Sequence, residues 1–584
     1  MYRGACERIK GGEKSERVAA SEDFRQIMKT DEKESSPDAA LEKTGGETNY
    51  LILTDSGKPI FARYGSDEQV GQICGMISGL RSSILFDSDL QLGEVQSMES
   101  QTFKLALWQV NGLLLVAIVA QPAVGGTDAY LRFVLETLYA QLCFSLTKPT
   151  LDSTMVHPNY DMSSAMGTTV RQLHSILDQM DLHASDDTGN LSLGLIHSLG
   201  GSLQPLHPFS SAIRDQVSIA LREITTPNTL FSFLLAGNGR LVSLVQSNIR
   251  TMQMRAFDWS LLFHFLQQQA ELLTSELWLP VCLPRFNVTG YVFCYTRCLD
   301  ANTGLCVGLI SHIGTTKQFQ AFQSVSSQLC ARLCIQMSSV RNKENPSNPP
   351  SPEVTNNLFD KEELMDDNGS DDYVVVTAHG IVEEVAMAQD HTVLRKIHGE
   401  YLELCEAFHF VFRFDAPLPR KFRQPPGRLP QCICASNEDL FQTSASRRKL
   451  WSNYDKLMMR LRLGSAQSES VQDALEMIYS DRRSPSKDSR RTDNAVSEPP
   501  PHAALDYECN ASALLEAAPQ FASMTAIVEG DYLYVGINGD AFELYFTLSA
   551  DLSVKQATAL GAKLVRRLLL EQQQLFLWNP LVWK

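Results

Sequence analysis

NYLILTDSGKPIFARYGSDEQ, residues 49–69, reads as a strand, a turn, a second strand and the start of a helix. Tyr50 to Thr54 and Pro59 to Ala62 are short apolar runs. Asp55-Ser56-Gly57-Lys58 between them is a tight turn, with glycine where φ > 0 comes most easily. Ser66 is an N-cap residue, and Asp67 and Glu68 place negative charge in the first helical turn, where the helix dipole favours it. Val70, Ile73, Met76, Ile77 and Leu80 then form one apolar stripe.

The same order extends outward. The helix runs to about Phe86, Glu94 to Met98 is a weak strand, and Phe103 to Gln109 alternates. Leu113 to Ala120 is an unbroken apolar strand joined to its predecessor by the hairpin pair Asn111-Gly112. Thr127 to Leu146 is helical. The pattern of two strands, helix, three strands, helix returns from Leu230. Strands at Leu230 to Leu235 and Leu241 to Gln246 flank the turn Gly237-Asn238-Gly239-Arg240, and a helix runs from about Asp258 to Thr274. Three strands follow at Trp278 to Leu283, Gly290 to Cys298 and Leu305 to Ile313, then a helix from about Lys317 to Met337. A third, looser copy has strands at Tyr373 to Thr377 and Phe408 to Phe414, helices near Val393 to Cys405 and Asn437 to Leu463, and three strands between Ser523 and Leu548. A helix from Ser553 to Gln573 closes it. Three copies of one order define the architecture.

At 584 residues the chain is long enough for three or four domains, and 44% hydrophobic residues supply their cores. A formal charge of −16 argues against a surface that coats nucleic acid. The N-terminus has no secretory or myristoylation pattern, and Leu113 to Ala120 is too short to span a bilayer. The 13 cysteines contain no C-x2-C pair and read as reduced, mostly buried residues.

No pattern for bond-making chemistry is present. Gly57-Lys58 lacks the spacing of a phosphate-cradling loop, since Ile52 stands five residues before Gly57 and Pro59 follows Lys58. The 12 histidines are scattered, the nearest pair being His391 and His398, and His264 in an apolar helix reads as structural. The acidic pairs Asp186-Asp187, Asp366-Asp367 and Asp371-Asp372 fall in polar loops. Two basic clusters stand out. Arg413, Arg420, Lys421, Arg423 and Arg428 follow a third-unit strand, and Arg482, Arg483, Lys487, Arg490 and Arg491 lie in a linker beside Ser484-Pro485. Either reads as a solvated loop or as contact with an anionic lipid surface, for which Arg420, Lys421, Arg423 and Arg428 are the candidates.

Ser56-Gly57-Lys58-Pro59-Ile60-Phe61 with Arg63-Tyr64-Gly65-Ser66 is similar to the SGKP, aromatic, RYGS signature of the Mon-one (SAND) vacuolar-fusion family. Asn159-Tyr160-Asp161 is similar to its NYDL segment and Val281-Cys282-Leu283-Pro284-Arg285-Phe286-Asn287 to its VCLPRFN stretch. His409-Phe410-Val411-Phe412-Arg413 is similar to its HFLYK and Phe542-Glu543-Leu544-Tyr545 to its FELY. Taken in order, these segments make the sequence resemble that family over most of its length. It departs at Val411 and Arg413, at Ala435-Ser436-Asn437-Glu438 in place of a TSPE-like segment, and in an insertion from Gly464 to His502.

The resemblance implies an α/β (α+β) chain of three longin-type domains, each a five-stranded, mainly antiparallel sheet flanked by helices. They fall at 49–148, 228–338 and 373–584, with a disordered tail 1–48, a connecting helical region 149–227, a linker 339–372 and a disordered insertion 464–510. It implies a subunit of a heterodimeric guanine-nucleotide exchange factor, paired with a Ccz-one-type longin protein. That factor activates a late-endosomal or vacuolar Rab GTPase and promotes endosome maturation and vacuole or lysosome fusion. The work needs no covalent step, catalytic residue, cofactor or metal. A non-catalytic longin scaffold or tether is the alternative. The chain is then expected to be cytoplasmic, recruited peripherally to endosomal or vacuolar membrane, with phosphoinositide contact and no nucleic acid. Ser56, Gly57, Lys58, Pro59, Arg63, Tyr64, Gly65 and Asp67 are the implied contacts with the GTPase or the longin partner. Reversing charge at Lys58 and Arg63 together is expected to slow exchange without unfolding the chain.

Overall fold

The computed structural model describes residues 48–85, 95–101, 103–119, 127–156, 166–167, 169–180, 202–224, 226, 228–246, 254–269, 275–332, 378–417, 428–437, 443–466, 521–539 and 541–577. Its first unit opens with the hairpin β1 (Thr48–Thr54) and β2 (Pro59–Ala62), followed by α1 (Asp67–Leu85). The meander β3 (Val95–Glu99), β4 (Lys104–Val110), β5 (Leu113–Val119) leads into α2 (Asp128–Leu146). All neighbours are antiparallel in the order β2-β1-β5-β4-β3. The elements stand where the pattern predicts, although β1 begins at Thr48, inside the expected tail. Asn111 and Gly112 carry the positive φ angles of a tight hairpin turn, 47° and 73°.

Side chains alternate across a strand, so the sheet has two cores. Leu51, Leu53, Leu105, Leu107, Leu114, Val116 and Ile118 pack with Val70, Ile73, Cys74 and Ile77 of α1. Tyr50, Ile52, Leu113, Leu115 and Ala117 pack with Leu131, Val134, Leu135 and Leu138 of α2. Covered on both faces, β5 needs no polar positions, which is why its sequence is apolar throughout.

Helices α3 (Lys148–Val156), α4 (Thr169–Met180) and α5 (Ser211–Glu223) connect to the second unit. That unit comprises β6 (Thr229–Leu235), β7 (Leu241–Gln246), α6 (Ala256–Gln267), β8 (Leu277–Leu283), β9 (Asn287–Asp300), β10 (Leu305–Ser311) and α7 (Thr316–Arg332). Its sheet order, β7-β6-β10-β9-β8, repeats that of the first, and α6 ends at Gln267 rather than running on to Thr274.

The third unit departs most from expectation. It comprises α8 (Ala378–Gln389), α9 (His391–Cys405), β11 (His409–Pro417), β12 (Arg428–Ser436), α10 (Ser444–Ala466), β13 (Phe521–Glu529), β14 (Tyr532–Gly539), β15 (Phe542–Ser549), α11 (Val554–Leu570) and α12 (Gln572–Leu575). The order β12-β11-β15-β14-β13 is the same again. Its opening hairpin is β11–β12; the expected strand Tyr373 to Thr377 lies outside the described residues. Pro430 disguises β12 in the sequence, because proline removes a ladder donor, but β12 is an edge strand, where that loss is tolerated. Helix α10 starts at Ser444 rather than near Asn437, and α8 was not anticipated.

The units share cores. Leu131, Leu135 and Leu142 of α2 and Leu173 and Leu177 of α4 belong to one cluster with Trp259, Leu262 and Phe263 of α6. Between α4 and α5, residues 203 to 206 run alongside two sheet edges at once. Leu203 bridges Gln431 of β12 and Pro205 bridges Leu241 of β7, both parallel. Those edges are therefore capped within the chain. Arg214 of α5 fastens the third unit to this connector, its Nη1 donating to the carbonyls of Gln573 and Phe576 at 3.2 and 2.8 Å and its Nη2 to that of Leu206 at 2.6 Å. Among the described residues no helix is long and apolar enough to cross a membrane.

Candidate functional site

The turn after β1 is built by its own side chains. Thr54 donates its N–H to the Lys58 carbonyl and accepts from the Gly57 N–H on its own carbonyl, both at 2.9 Å. Its hydroxyl accepts the Lys58 N–H at 3.0 Å and shares a hydrogen bond with Ser56 Oγ at 2.8 Å. Gly57 sits at φ 84°, and a Cβ there would lie 2.4 Å from Ser78 Oγ on α1. Gly57→Ala should therefore cost about 2 kcal/mol for the left-handed backbone and the close approach together. Adding Ser78→Ala should recover only the steric part, as urea unfolding of the single and double variants would measure. Asp55 ties this turn to the neighbouring one, accepting from Gln109 Nε2 at 2.9 Å while its N–H donates to the Gly112 carbonyl at 2.9 Å.

At the other end of β2 the chain turns into α1 through Arg63-Tyr64-Gly65-Ser66. Asn49 clamps this corner: its Nδ2 donates to the Tyr64 carbonyl at 3.1 Å and its Oδ1 accepts the Tyr64 N–H at 3.2 Å. Ser66 caps α1 with Gln69 in a reciprocal box, Ser66 N–H to Gln69 Oε1 at 2.8 Å and Gln69 N–H to Ser66 Oγ at 3.4 Å.

The predicted contact residues separate into two sets. Ser56, Lys58, Pro59, Tyr64, Gly65 and Asp67 are exposed along one rim, with Gly57 half-buried among them. Arg63 is not on that rim. It is buried, lies over the Tyr64 ring at 4.9 Å, and donates from Nη2 to Asp178 Oδ1 of α4 at 3.1 Å. Its position binds the connector to β2, so Arg63→Glu would set a buried carboxylate beside Asp178 and perturb folding. The expected double charge reversal is thus not a clean probe, and Lys58 alone is.

One feature of α1 escaped the sequence reading. Gly71, Gly75 and Gly79 are spaced by four residues, lie on one stripe, and are exposed. A Cβ added at any of them meets nothing within 4 Å. The equivalent helix of the second unit, α6, is buried from Ala256 to His264, beneath α2 and α4. The third unit's α10 is also largely covered, and its Asp455 accepts the Thr127 N–H at 3.0 Å. Among the described residues, α1 is the hairpin-following helix whose outer face stays open.

The other quoted segments serve packing. The Arg285 N–H of VCLPRFN donates to both oxygens of Asp258 at 3.1 Å, while the Arg285 side chain reaches Glu136 of α2 at 3.4 Å. Burial pushes the Asp258 carboxyl up to about 7, outweighing the Arg285 and Phe286 N–H groups that favour its charge. HFVFR and FELY meet across β11 and β15, where Arg413 and Glu543 stand opposite one another and pair at 2.8 Å. Arg413 therefore leaves the basic cluster; Arg428 begins β12 opposite Pro417, and Arg420, Lys421 and Arg423 lie outside the described residues. So do the second basic cluster, Asn159-Tyr160-Asp161 and the three acidic pairs. His264 is buried and shares a hydrogen bond with Gln268 at 2.6 Å. The described cysteines are all free, and no three His, Cys, Asp or Glu among the described residues gather as metal ligands would.

Comparison with known proteins assigns two of the units. Residues 48–176 match a family model described as the first Longin domain of FUZ, MON1 and HPS1, and residues 227–330 match the second Longin domain of the same proteins. Vacuolar fusion protein MON1 homolog B of Mus musculus is 30% identical over 288 residues, 49% of this chain and 47% of that protein. MON1 homolog A of Gallus gallus is 27% identical over 264 residues, covering 45% and 44%, and Protein SAND of Takifugu rubripes is 27% identical over 264 residues, covering 45% and 46%. The chain spans about half the length of the curated relatives it matches. With two longin domains of the FUZ, MON1 and HPS1 kind matched and a third sheet of the same strand order, the chain is built of longin-type units and is similar over about half its length to the MON1 and SAND proteins.

Proposed function

We propose that this chain is one subunit of a heterodimeric guanine-nucleotide exchange factor for a late-endosomal or vacuolar Rab GTPase, acting at the cytoplasmic surface of those membranes in vacuolar fusion. A Ccz-one-type longin protein is the other subunit. The observation that carries the reading is the open outer face of α1 beside the rim of Ser56, Lys58, Pro59, Tyr64 and Asp67. Three glycines let a partner helix or strand approach the α1 backbone closely, at the position that the second unit covers from within the chain. They also weaken the helix by about 1 kcal/mol each relative to alanine, a cost that the isolated chain gains nothing from.

Exchange on such a platform needs no covalent step. A complex that binds the empty GTPase better than the loaded one expels GDP by linkage, to the extent of that difference in affinity. Release of a fluorescent GDP analogue from the Rab tests the reading. The chain with its longin partner should accelerate release, and neither alone should. No acceleration by the complex overturns exchange and leaves the scaffold or tether. Lys58→Glu, on the exposed rim, should slow release up to about fivefold, the scale of an exposed ion pair, without changing the melting temperature. Unchanged release would remove Lys58 from the contact.

A further inference from the structure

Strands β9 and β10 bring two cysteines of the second unit face to face. Cys298 and Cys306 are direct partners in the antiparallel ladder, next to a bulge at which the register skips Leu299. Directly opposed residues of such a ladder have Cα atoms about 4.5–5.5 Å apart, inside the range of about 4.4–6.8 Å that a disulfide spans. Joining the two sulfurs therefore asks for no movement of the strands. Both side chains border the core cluster shared by the first two units, Cys306 buried and Cys298 half-buried, so Cys298 is the one that meets solvent. Cys294, four residues earlier on β9, stands opposite Ile310 and not opposite a cysteine.

The two thiols differ in chemistry. Cys306 Sγ donates to the Gly304 carbonyl at 3.2 Å. Turned to its neighbour, the same thiol donates to the Cys298 sulfur and favours it as a thiolate. That bond holds Cys298 below the ordinary cysteine value, against burial and the Asp300 carboxylate, which push it up. Every other described cysteine is pushed up, with burial the leading cause for all but Cys306. For Cys306 the leading cause is the bond to Cys298 itself, and it disappears once the Cys298 thiolate is consumed. The pair thus holds one thiol that ionises first and a second that is freed to react when the first has been capped.

We propose that Cys298 and Cys306 form a dithiol site for hydrogen peroxide, which closes a reversible disulfide across β9 and β10. The Cys298 thiolate attacks one peroxide oxygen and the O–O bond breaks. This gives a sulfenic acid on Cys298 and a hydroxide, which takes up the proton that Cys298 had released. The Cys306 sulfur then attacks the Cys298 sulfur. The S–S bond forms, the S–OH bond breaks, and the hydroxide leaves as water with the Cys306 proton. Two electrons pass from the sulfurs to the peroxide, and a dithiol reductant returns them. The closed loop carries the Thr303 carbonyl, which accepts the Gly237 N–H of the β6–β7 turn at 3.0 Å and Gln389 Nε2 of α8 at 3.1 Å. Oxidation therefore fixes a hairpin on which the second unit meets the third. The inference is independent of nucleotide exchange.

The test treats the reduced full chain with a small excess of hydrogen peroxide, removes the excess with catalase, and alkylates the remaining thiols in denaturant before tryptic digestion and mass spectrometry. The peptide from Cys298 to Lys317 contains both cysteines and no others. It should lose two hydrogens, resist alkylation, and regain both thiols with dithiothreitol. Its oxidation should run at least about tenfold faster than that of Cys294, which lies on the preceding peptide and is fully buried. Cys306→Ser should stop the reaction at the sulfenic acid, trapped on Cys298 by dimedone, and Cys298→Ser should leave Cys306 open to alkylation. The unaltered chain decides the outcome by itself if either variant folds poorly. A Cys298 to Lys317 peptide that stays fully alkylated, a disulfide from either cysteine to a different partner, or oxidation of Cys294 at the same rate overturns the proposal.

Discussion

Gly75→Leu should separate the two roles of α1, leaving the isolated chain as stable as before or more so while disabling its docking. Gly75 is exposed, and no atom stands within 4 Å of the position its Cβ would take. Leucine therefore clashes with nothing in the chain and gains about 0.8–1 kcal/mol of helix propensity over glycine. The side chains beneath it, Ile73, Cys74 and Ile77, keep their packing against Leu51, Leu53 and Val116. In a complex whose partner backbone lies against the glycine stripe, the same side chain must be overpacked. That penalty is typically 1–3 kcal/mol, or about fivefold to 150-fold in affinity. Assembly with the longin partner should weaken by that factor, and Rab-stimulated GDP release at fixed subunit concentration should fall with it. Gly75→Ala should fall between the two. A Gly75→Leu chain that assembles and exchanges like the unaltered one would place the partner elsewhere on the molecule.

How far the sequence reaches depends on what each element has to satisfy. The first two units are legible because both sheets are covered on two faces, so strands show as apolar runs and hairpins as glycine turns, at Asp55 to Lys58 and at Asn111-Gly112. The third is harder: β12 is an edge strand that tolerates Pro430, and a proline within an apolar run argues for a loop. Arg63 looked exposed because it precedes the loop-like Tyr64-Gly65. The carboxylate that holds it belongs to α4, far along the chain, and no local pattern predicts that pairing. The glycine stripe was in plain view as a period of four, but a helix with three glycines reads as weak before it reads as open. Cys298 and Cys306 were hidden for the opposite reason: their spacing matches no cysteine motif, and only the register of β9 against β10 sets them side by side. The same holds for the histidines, scattered along the chain, of which His207 and His398 meet in space.

Those histidines set the second large effect: the chain should lose most of its stability between pH 6.5 and pH 4. Burial lowers His264 and His398 to about 4 and His409 to about 3, and holds His207 well below its ordinary value. His409 shares a hydrogen bond with Tyr454 Oη at 3.0 Å and lies 3.4 Å from Cys434 Sγ, His264 meets Gln268, and His207 and His398 meet each other. Above pH 6.5 these groups are neutral in both folded and unfolded chain and cost nothing. As pH falls, the unfolded chain takes up protons at about 6.5 while the folded chain does not, so stability drops until the folded values are reached. At pH 5 the loss is about 2 kcal/mol per histidine, and several together rival the roughly 5–15 kcal/mol that holds a domain folded. Asp258 acts in the opposite sense. With its folded value near 7, it takes up a proton on folding anywhere between about 4 and 7, so its share of stability rises as pH falls and offsets about one histidine. Urea unfolding from pH 7.5 to 4.5, followed by far-ultraviolet circular dichroism, reads the sum. His409→Gln, which keeps a hydrogen-bonding group beside Tyr454 but cannot titrate, should reduce the slope of stability against pH by up to one proton across that window, whatever its effect on stability at pH 7. A slope identical to that of the unaltered chain would mean that His409 takes up its proton at the same pH in the folded and the unfolded chain, and that its burial against Trp451 and Tyr454 does not exclude charge.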